Sequence, residues 1–197
     1  SVFKEVLTEY KSKLADYGSP SDILEEIDRL LEKNLIEISE FNSLSGKIKG
    51  LLLDAEEKKN MMQKRKEFAV KVKENLKKLG YSVVEDNGGN RSTEELSQES
   101  TVYFDSKWKD YKIMTKINSY GEFVTRIVKI VATDAEKKNI TDYQQQKDTE
   151  IAKHWCSDFD NFLKGMKQNG IDLKVNLRKE PEEEPVLYVV NKELANV

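Results

Sequence analysis

Cysteine and histidine occur once each in this 197-residue chain, and proline three times. One cysteine excludes an intrachain disulfide framework and leaves no cysteine cluster for zinc. The lone histidine, His154, stands two residues from Cys156. Positions two apart on a helix point about 200° away from each other, so the two cannot form a dyad. With no second Cys or His, Cys–His nucleophilic catalysis has no components within one chain. Cys156 falls on an apolar stripe and reads as core packing. His154 lies at the edge of that stripe, with Asp158 as its expected surface partner. No apolar run nears the roughly 20 residues of a membrane-spanning helix, so no membrane partner is expected. No signal-peptide pattern opens the chain, and a first residue other than Met suits a processed product or an excised piece of a longer chain. A reducing, cytoplasmic compartment is the default expectation. The triplets Asn90-Arg91-Ser92 and Asn139-Ile140-Thr141 match a glycosylation acceptor but read as chance matches without a secretory signal.

Charge is abundant and nearly balanced. Asp, Glu, Lys and Arg supply 35% of the residues, above the usual quarter or so, yet the net charge is only −3. The excess suits exposed helices, and the balance compels no nucleic-acid partner. No fixed-period repeat appears.

The dominant stretch is Ser21 to Leu79. Alternating steps of three and four from Leu24 give Ile27, Leu31, Ile38, Phe41, Ile48 and Leu52, a heptad-like seam. The seam weakens at Ser45, Lys59, Lys66 and Lys73, and a shifted stripe of Phe68, Val72, Leu76 and Leu79 replaces it. Asn42-Ser43-Leu44-Ser45-Gly46 is the expected break, because Asn, Ser and Gly disfavour helix interiors. The expectation is an antiparallel hairpin of two helices, Ser21–Leu44 and Lys47–Leu79, with one continuous helix as the alternative. Acidic Asp22–Glu40 would then lie beside basic Lys58–Lys78. A shorter helix carries Val2, Phe3, Val6, Leu7, Tyr10, Leu14 and Tyr17 at helical spacing, ends at Gly18, and is expected to pack back on the next one. Ser19 is the expected N-cap of that next helix, with Pro20 at its first position.

Beyond Gly80 the pattern changes. Tyr81–Val84, Thr101–Phe104, Tyr111–Ile117 and Glu122–Val131 read as strands of an antiparallel meander, the last one central. Glu85–Ser100 reads as a polar loop whose Gly88-Gly89 lacks the Gly-Lys-Ser/Thr ending of a phosphate cradle. Thr141 and Gln144 form a capping box for a helix reaching about Gln168. Its apolar stripe runs through Ile151, Trp155, Phe159, Phe162 and Met166. Ile171–Leu177 and Val186–Val190 read as two further strands, joined by the acidic Pro181–Pro185 connector. The fold class is therefore α+β: a helical hairpin or coiled coil over residues 1–80, then residues 81–197 as an antiparallel sheet packed against one long helix.

Two surfaces carry candidate chemistry. Lys58, Lys59, Lys64, Arg65 and Lys66 cluster on the basic helix and could neutralise phosphates. Lys107, Trp108, Lys109 and Lys112 interleave cations with aromatics, a pattern suited to stacking on bases. On a strand, Lys107, Lys109 and Tyr111 would share one face. The plainer reading is an edge hairpin guarded by lysines, with Trp108 packed inward. Glu85-Asp86 followed by Asp105-Ser106-Lys107 has a loose likeness to the acid, then acid-x-Lys, layout of restriction-endonuclease-like metal nucleases. The same acid-x-Lys spacing recurs at Glu9–Lys11, Asp110–Lys112 and Asp172–Lys174, and the proline–acid pair of that family is missing.

The expected function is that of a non-catalytic interaction or assembly module. Its helices would mediate oligomerisation, a homodimer included, and its α+β head would bind a protein partner. The alternatives are nucleic-acid binding through residues 58–78 and 107–112, and a metal-dependent nuclease. No cofactor, no catalytic residue and no resident metal is assigned.

Overall fold

The computed structural model describes residues 2–83, 91–98, 100–118 and 121–195. Contacts divide the chain into two compact units, Ser1–Gln63 and Lys64–Val197. No helix among the described residues is long and apolar enough to cross a membrane.

The first unit contains α1 (Val2–Asp16), α2 (Ser21–Glu32) and the first part of α3 (Ile38–Lys78). Gly18 takes φ 63° after α1. Its N–H reaches Ala15 O and the Ser19 N–H reaches Leu14 O, closing the helix with a Schellman turn. Helix α2 begins at Ser21 as expected, but Pro20 rather than Ser19 takes the cap position, with no side-chain cap. Leu7, Leu14, Ile27, Leu30, Ile36, Leu44 and Ile48 form the buried core, with Phe3 stacked on Phe41 at 4.4 Å. The expected return of the first helix onto the next is thus present.

The break between the long helices lies elsewhere than expected. It falls at Lys33–Glu37, and α3 passes straight through Asn42–Gly46 and Gly50. Two causes act together. At residues 36–41 the sequence carries a start signal: the Glu40 carboxylate accepts the Glu37 N–H at 3.4 Å, half of a capping box. Ile36 and Phe41 flank that start within one apolar cluster, as a hydrophobic staple does. At residues 42–46, burying Leu44 and Ile48 contributes about 1.5–3 kcal/mol each, more than the roughly 1 kcal/mol that Gly46 costs in a helix. The acidic face of α2 pairs with Lys11 (to Asp28, 2.5 Å) and Lys47 (to Glu26, 3.3 Å).

The second unit contains the end of α3, β1 (Ser82–Val83), α4 (Arg91–Ser97), β2 (Val102–Asp105), β3 (Tyr111–Ile117), β4 (Phe123–Val131), α5 (Asp134–Lys138), α6 (Asp142–Gln168), β5 (Leu187–Val190) and α7 (Lys192–Ala195). The sheet order is β1-β2-β3-β4-β5, antiparallel except for the parallel β4–β5 pair. Its core face meets α6 and the end of α3 through Phe104, Tyr111, Ile113, Ile127, Trp155, Phe162, Val72 and Leu76. Thr141 caps α6 as expected, its hydroxyl accepting the Gln144 N–H at 3.2 Å.

Two readings are corrected, and one open alternative is decided. The loop expected over residues 85–100 contains the helix α4; its residues 85–90, like Val84 of the expected first strand, lie outside the described residues. Residues 106–110, open between a hairpin turn and a strand continuation, are a tight turn: Asp110 sits at φ 67°, and the Ser106 hydroxyl accepts the Trp108 N–H (3.1 Å) and donates to Tyr111 O (2.6 Å). Ile171–Leu177 forms no strand, although β5 nearly matches the expected Val186–Val190.

Candidate functional site

The second unit carries a groove of about 760 Å³ beside the first half of β4. Trp155, Phe159 and Leu163 of α6 form its floor, Phe123–Ile127 one side, and residues 172–186 the opposing wall. Strand pairing explains why it exists. β4 pairs with β3 from Phe123 to Lys129, but with β5 only from Val128 to Val131. Among the described residues, Phe123–Ile127 therefore has a ladder on one side only.

The direction of its free groups follows from alternation. The Ile130 N–H reaches Asp110 O at 2.7 Å and the Asn118 N–H reaches Glu122 O at 3.0 Å, so the even-numbered residues of β4 face β3. Val131 O accepts the Asn191 N–H at 3.0 Å, so the odd-numbered ones face the β5 side. Phe123 and Thr125 consequently aim their N–H and C=O groups, and Ile127 its N–H, into the groove, while the Ile127 carbonyl serves the Val128–Leu187 pairing with β5. Pro181 and Pro185 keep the chain's own residues from covering this edge, since proline has no N–H for a ladder. The connector instead turns on itself, with the Glu183 and Glu184 N–H groups both reaching Glu180 O.

Cys156 is half-buried in the groove rather than in the core. Burial pushes its thiol above the ordinary value, and Arg178 beside it partly offsets this. Arg178 itself bonds Asp160 at 2.6 Å.

Next to the groove, below β5, lies a buried polar cluster that sequence reading missed. Asp148 is only 6% exposed. It accepts hydrogen bonds from the Tyr111 hydroxyl, the Tyr188 hydroxyl (2.6 Å) and Gln144 Nε2 (2.7 Å). Lys129 Nζ sits over both tyrosine rings, 5.5 and 5.3 Å from their centres. Both tyrosines are held well above their ordinary pKa, first by burial and then by the Asp148 bond. The signal available in the sequence was Asp148 sitting on the apolar face of α6, one turn before Ile151 and Ala152.

No family model matches this chain, and neither a curated protein nor a solved structure is significantly similar to it. The site must therefore be read from its own geometry.

The nine cationic and aromatic candidates are divided between the two units. Lys58 and Lys59 belong to the first unit, with Lys59 Nζ 5.8 Å from the Tyr17 ring centre. Lys64, Arg65 and Lys66 belong to the second; Lys64 and Lys66 are exposed, and Arg65 donates to Asn118 O at 2.7 Å. Lys107 pairs with Asp158 at 2.7 Å and lies over the Tyr81 ring. Asp158 also accepts from the Tyr81 hydroxyl at 2.5 Å. Asp158 thus serves these two groups, and His154 lies beside the Trp108 ring instead, 6.1 Å away. Trp108 is half-buried against the core, and Lys109 is exposed. Lys112 is buried and pairs with Asp105 at 2.5 Å. Tyr111 and Lys112 are therefore not part of an exposed stacking strand.

Of the acidic pattern, Glu85-Asp86 lies outside the described residues. Asp105 and Lys107 are each engaged with another partner, Lys112 and Asp158. Among the described residues, no three His, Cys, Asp or Glu side chains are grouped to hold a metal ion.

Proposed function

We propose that this protein is a non-catalytic interaction module whose α+β head binds an extended segment of a partner protein along the free edge of β4. The observation that carries this reading is the coincidence of an unpaired strand edge with an aromatic-floored groove. An added strand would bond the N–H and C=O groups of Phe123 and Thr125 and the N–H of Ile127. Every second side chain of that strand would point toward Trp155 and Phe159, on the face that Phe123 and Ile127 share. The partner chemistry is thus an extended peptide with an apolar residue at alternate positions and no proline at the bonded ones. We place the protein in a cytoplasmic-type, reducing compartment, where the free thiol persists.

Self-association through the helices has thinner support, because the first unit uses its apolar seam internally. Val2, Leu35 and Ile38 are its main exposed apolar side chains outside α3's later turns. For nucleic acid, the exposed candidates Lys58, Lys59, Lys64 and Lys66 are flanked by Glu56 and Glu57 on one side and Glu67 on the other.

The test is selection of a random nonapeptide library against the full chain. Selected peptides should show alternating apolar residues. Thr125→Pro removes one free edge N–H and keeps the β3 ladder, so it should weaken them at least about tenfold. Thr125→Val keeps that N–H and should bind normally. Failure to select any peptide, or equal binding to Thr125→Pro, overturns the proposal.

A further inference from the structure

The wall of the groove is tied down unevenly. Residues 171–186 make no ladder pairing among the described residues and are largely exposed. Their upstream end is firm: Gly170 and Ile171 bond back to Lys167 O and Met166 O, and Lys71 Nζ reaches Asn169 O at 3.0 Å. Along the segment, three ion pairs reach across to α6 and β4. These are Arg178–Asp160, Lys153–Glu182 and Arg126–Glu184. Each is solvent-accessible and so contributes little. The downstream end is β5, four residues at the sheet edge, of which only Tyr188 is buried. Tyr188 is anchored to Asp148, a carboxylate already fixed by Tyr111 and Gln144.

We infer that residues 171–190 form a strap that opens over the groove by local release of β5, and that the Tyr188–Asp148 hydrogen bond is the latch setting its open population. Bonds to a buried carboxylate outweigh neutral ones, so one hydroxyl can dominate the attachment of so short a strand. Segments with few buried contacts open well below the free energy of global unfolding. The inference does not depend on what occupies the groove.

Cys156 reports the strap directly. It is the sole thiol, and it sits under Arg178 of the strap. The experiment is labelling of the full chain with excess aromatic disulfide reagent, without any ligand. Tyr188→Phe keeps the ring and removes only the latch, so Cys156 should label at least about tenfold faster. Ile113→Val, in the core of β3, should leave the rate unchanged although it lowers global stability. Equal acceleration by both variants would mean that the thiol is exposed only by global unfolding, and no acceleration by Tyr188→Phe would mean that the latch does not control the strap; either overturns the inference. Amide exchange of the wild-type chain gives a check that needs no variant. Leu187–Val190 should exchange through an easier opening than Tyr111–Ile117, and exchange of both strands as one unit contradicts the strap.

Discussion

Tyr81, Tyr111 and Tyr188 carry their hydroxyls into the fold and donate a hydrogen bond to a carboxylate oxygen, Asp158 for the first and Asp148 for the other two. All three are buried, and burial is the largest cause of their raised pKa values. The fold thus favours the neutral hydroxyl. The sign follows: an unfolded tyrosine ionises near pH ~10, while the folded groups hold their protons above that. The stabilisation is complete below about pH 10 and is lost as pH rises further. Urea unfolding at pH 9 and pH 11 should show a marked loss of stability at the higher value. An ultraviolet titration should find these three of the eight tyrosines ionising only as the chain unfolds. Equal stability at both pH values contradicts the reading.

At the scale of elements, glycines that look alike in the sequence have opposite roles. Gly46 and Gly50 lie inside α3 with open space where a Cβ would go. Gly46→Ala and Gly50→Ala should each stabilise the protein by up to about 1 kcal/mol. Gly165 in α6 is different: an added Cβ would collide with Asn75 Oδ1. Asn75 is 3% exposed and tied to Lys71 O and Asn169, so it has little room to move. Gly165→Ala should therefore cost about 1–3 kcal/mol by overpacking. Urea midpoints of the three variants check both signs, and stabilisation by Gly165→Ala would contradict the packing described.

The same contrast explains which elements could be read in advance. Helix α6 announced itself through Thr141, Gln144 and a clean apolar stripe, all local signals. The helix break did not, because propensity at Asn42–Gly46 was overruled by burial of Leu44 and Ile48, which depends on partners in α1 and α2. Ile171–Leu177 alternates like a strand, yet an alternating pattern cannot show whether an edge is within reach. The Lys107–Lys112 stretch was legible as a hairpin turn or as strand continuation; the left-handed Asp110 and the Ser106 hydroxyl decide for the turn.

For the molecule as a whole, α+β class and the sequence of major elements were legible, whereas the candidate site was not. The groove combines residues 121–127, 152–163 and 172–186, which meet only once the parallel β5 has closed on β4. Its one local hint was the pair Pro181 and Pro185, which cannot take part in a ladder. The surfaces singled out by charge alone, at 58–66 and 107–112, are distributed over both units and partly consumed by internal ion pairs. A charged side chain's availability is decided by its neighbours, which the linear chain does not display.

The account rests on the free edge of β4, and amide exchange along that strand addresses it most directly. The free protein should show alternation: slow exchange at Val124, Arg126 and Val128, whose N–H groups face β3, and fast exchange at Phe123, Thr125 and Ile127. Uniform slow exchange from Phe123 to Val128 would mean that the edge is already paired, and the proposed binding site would not exist.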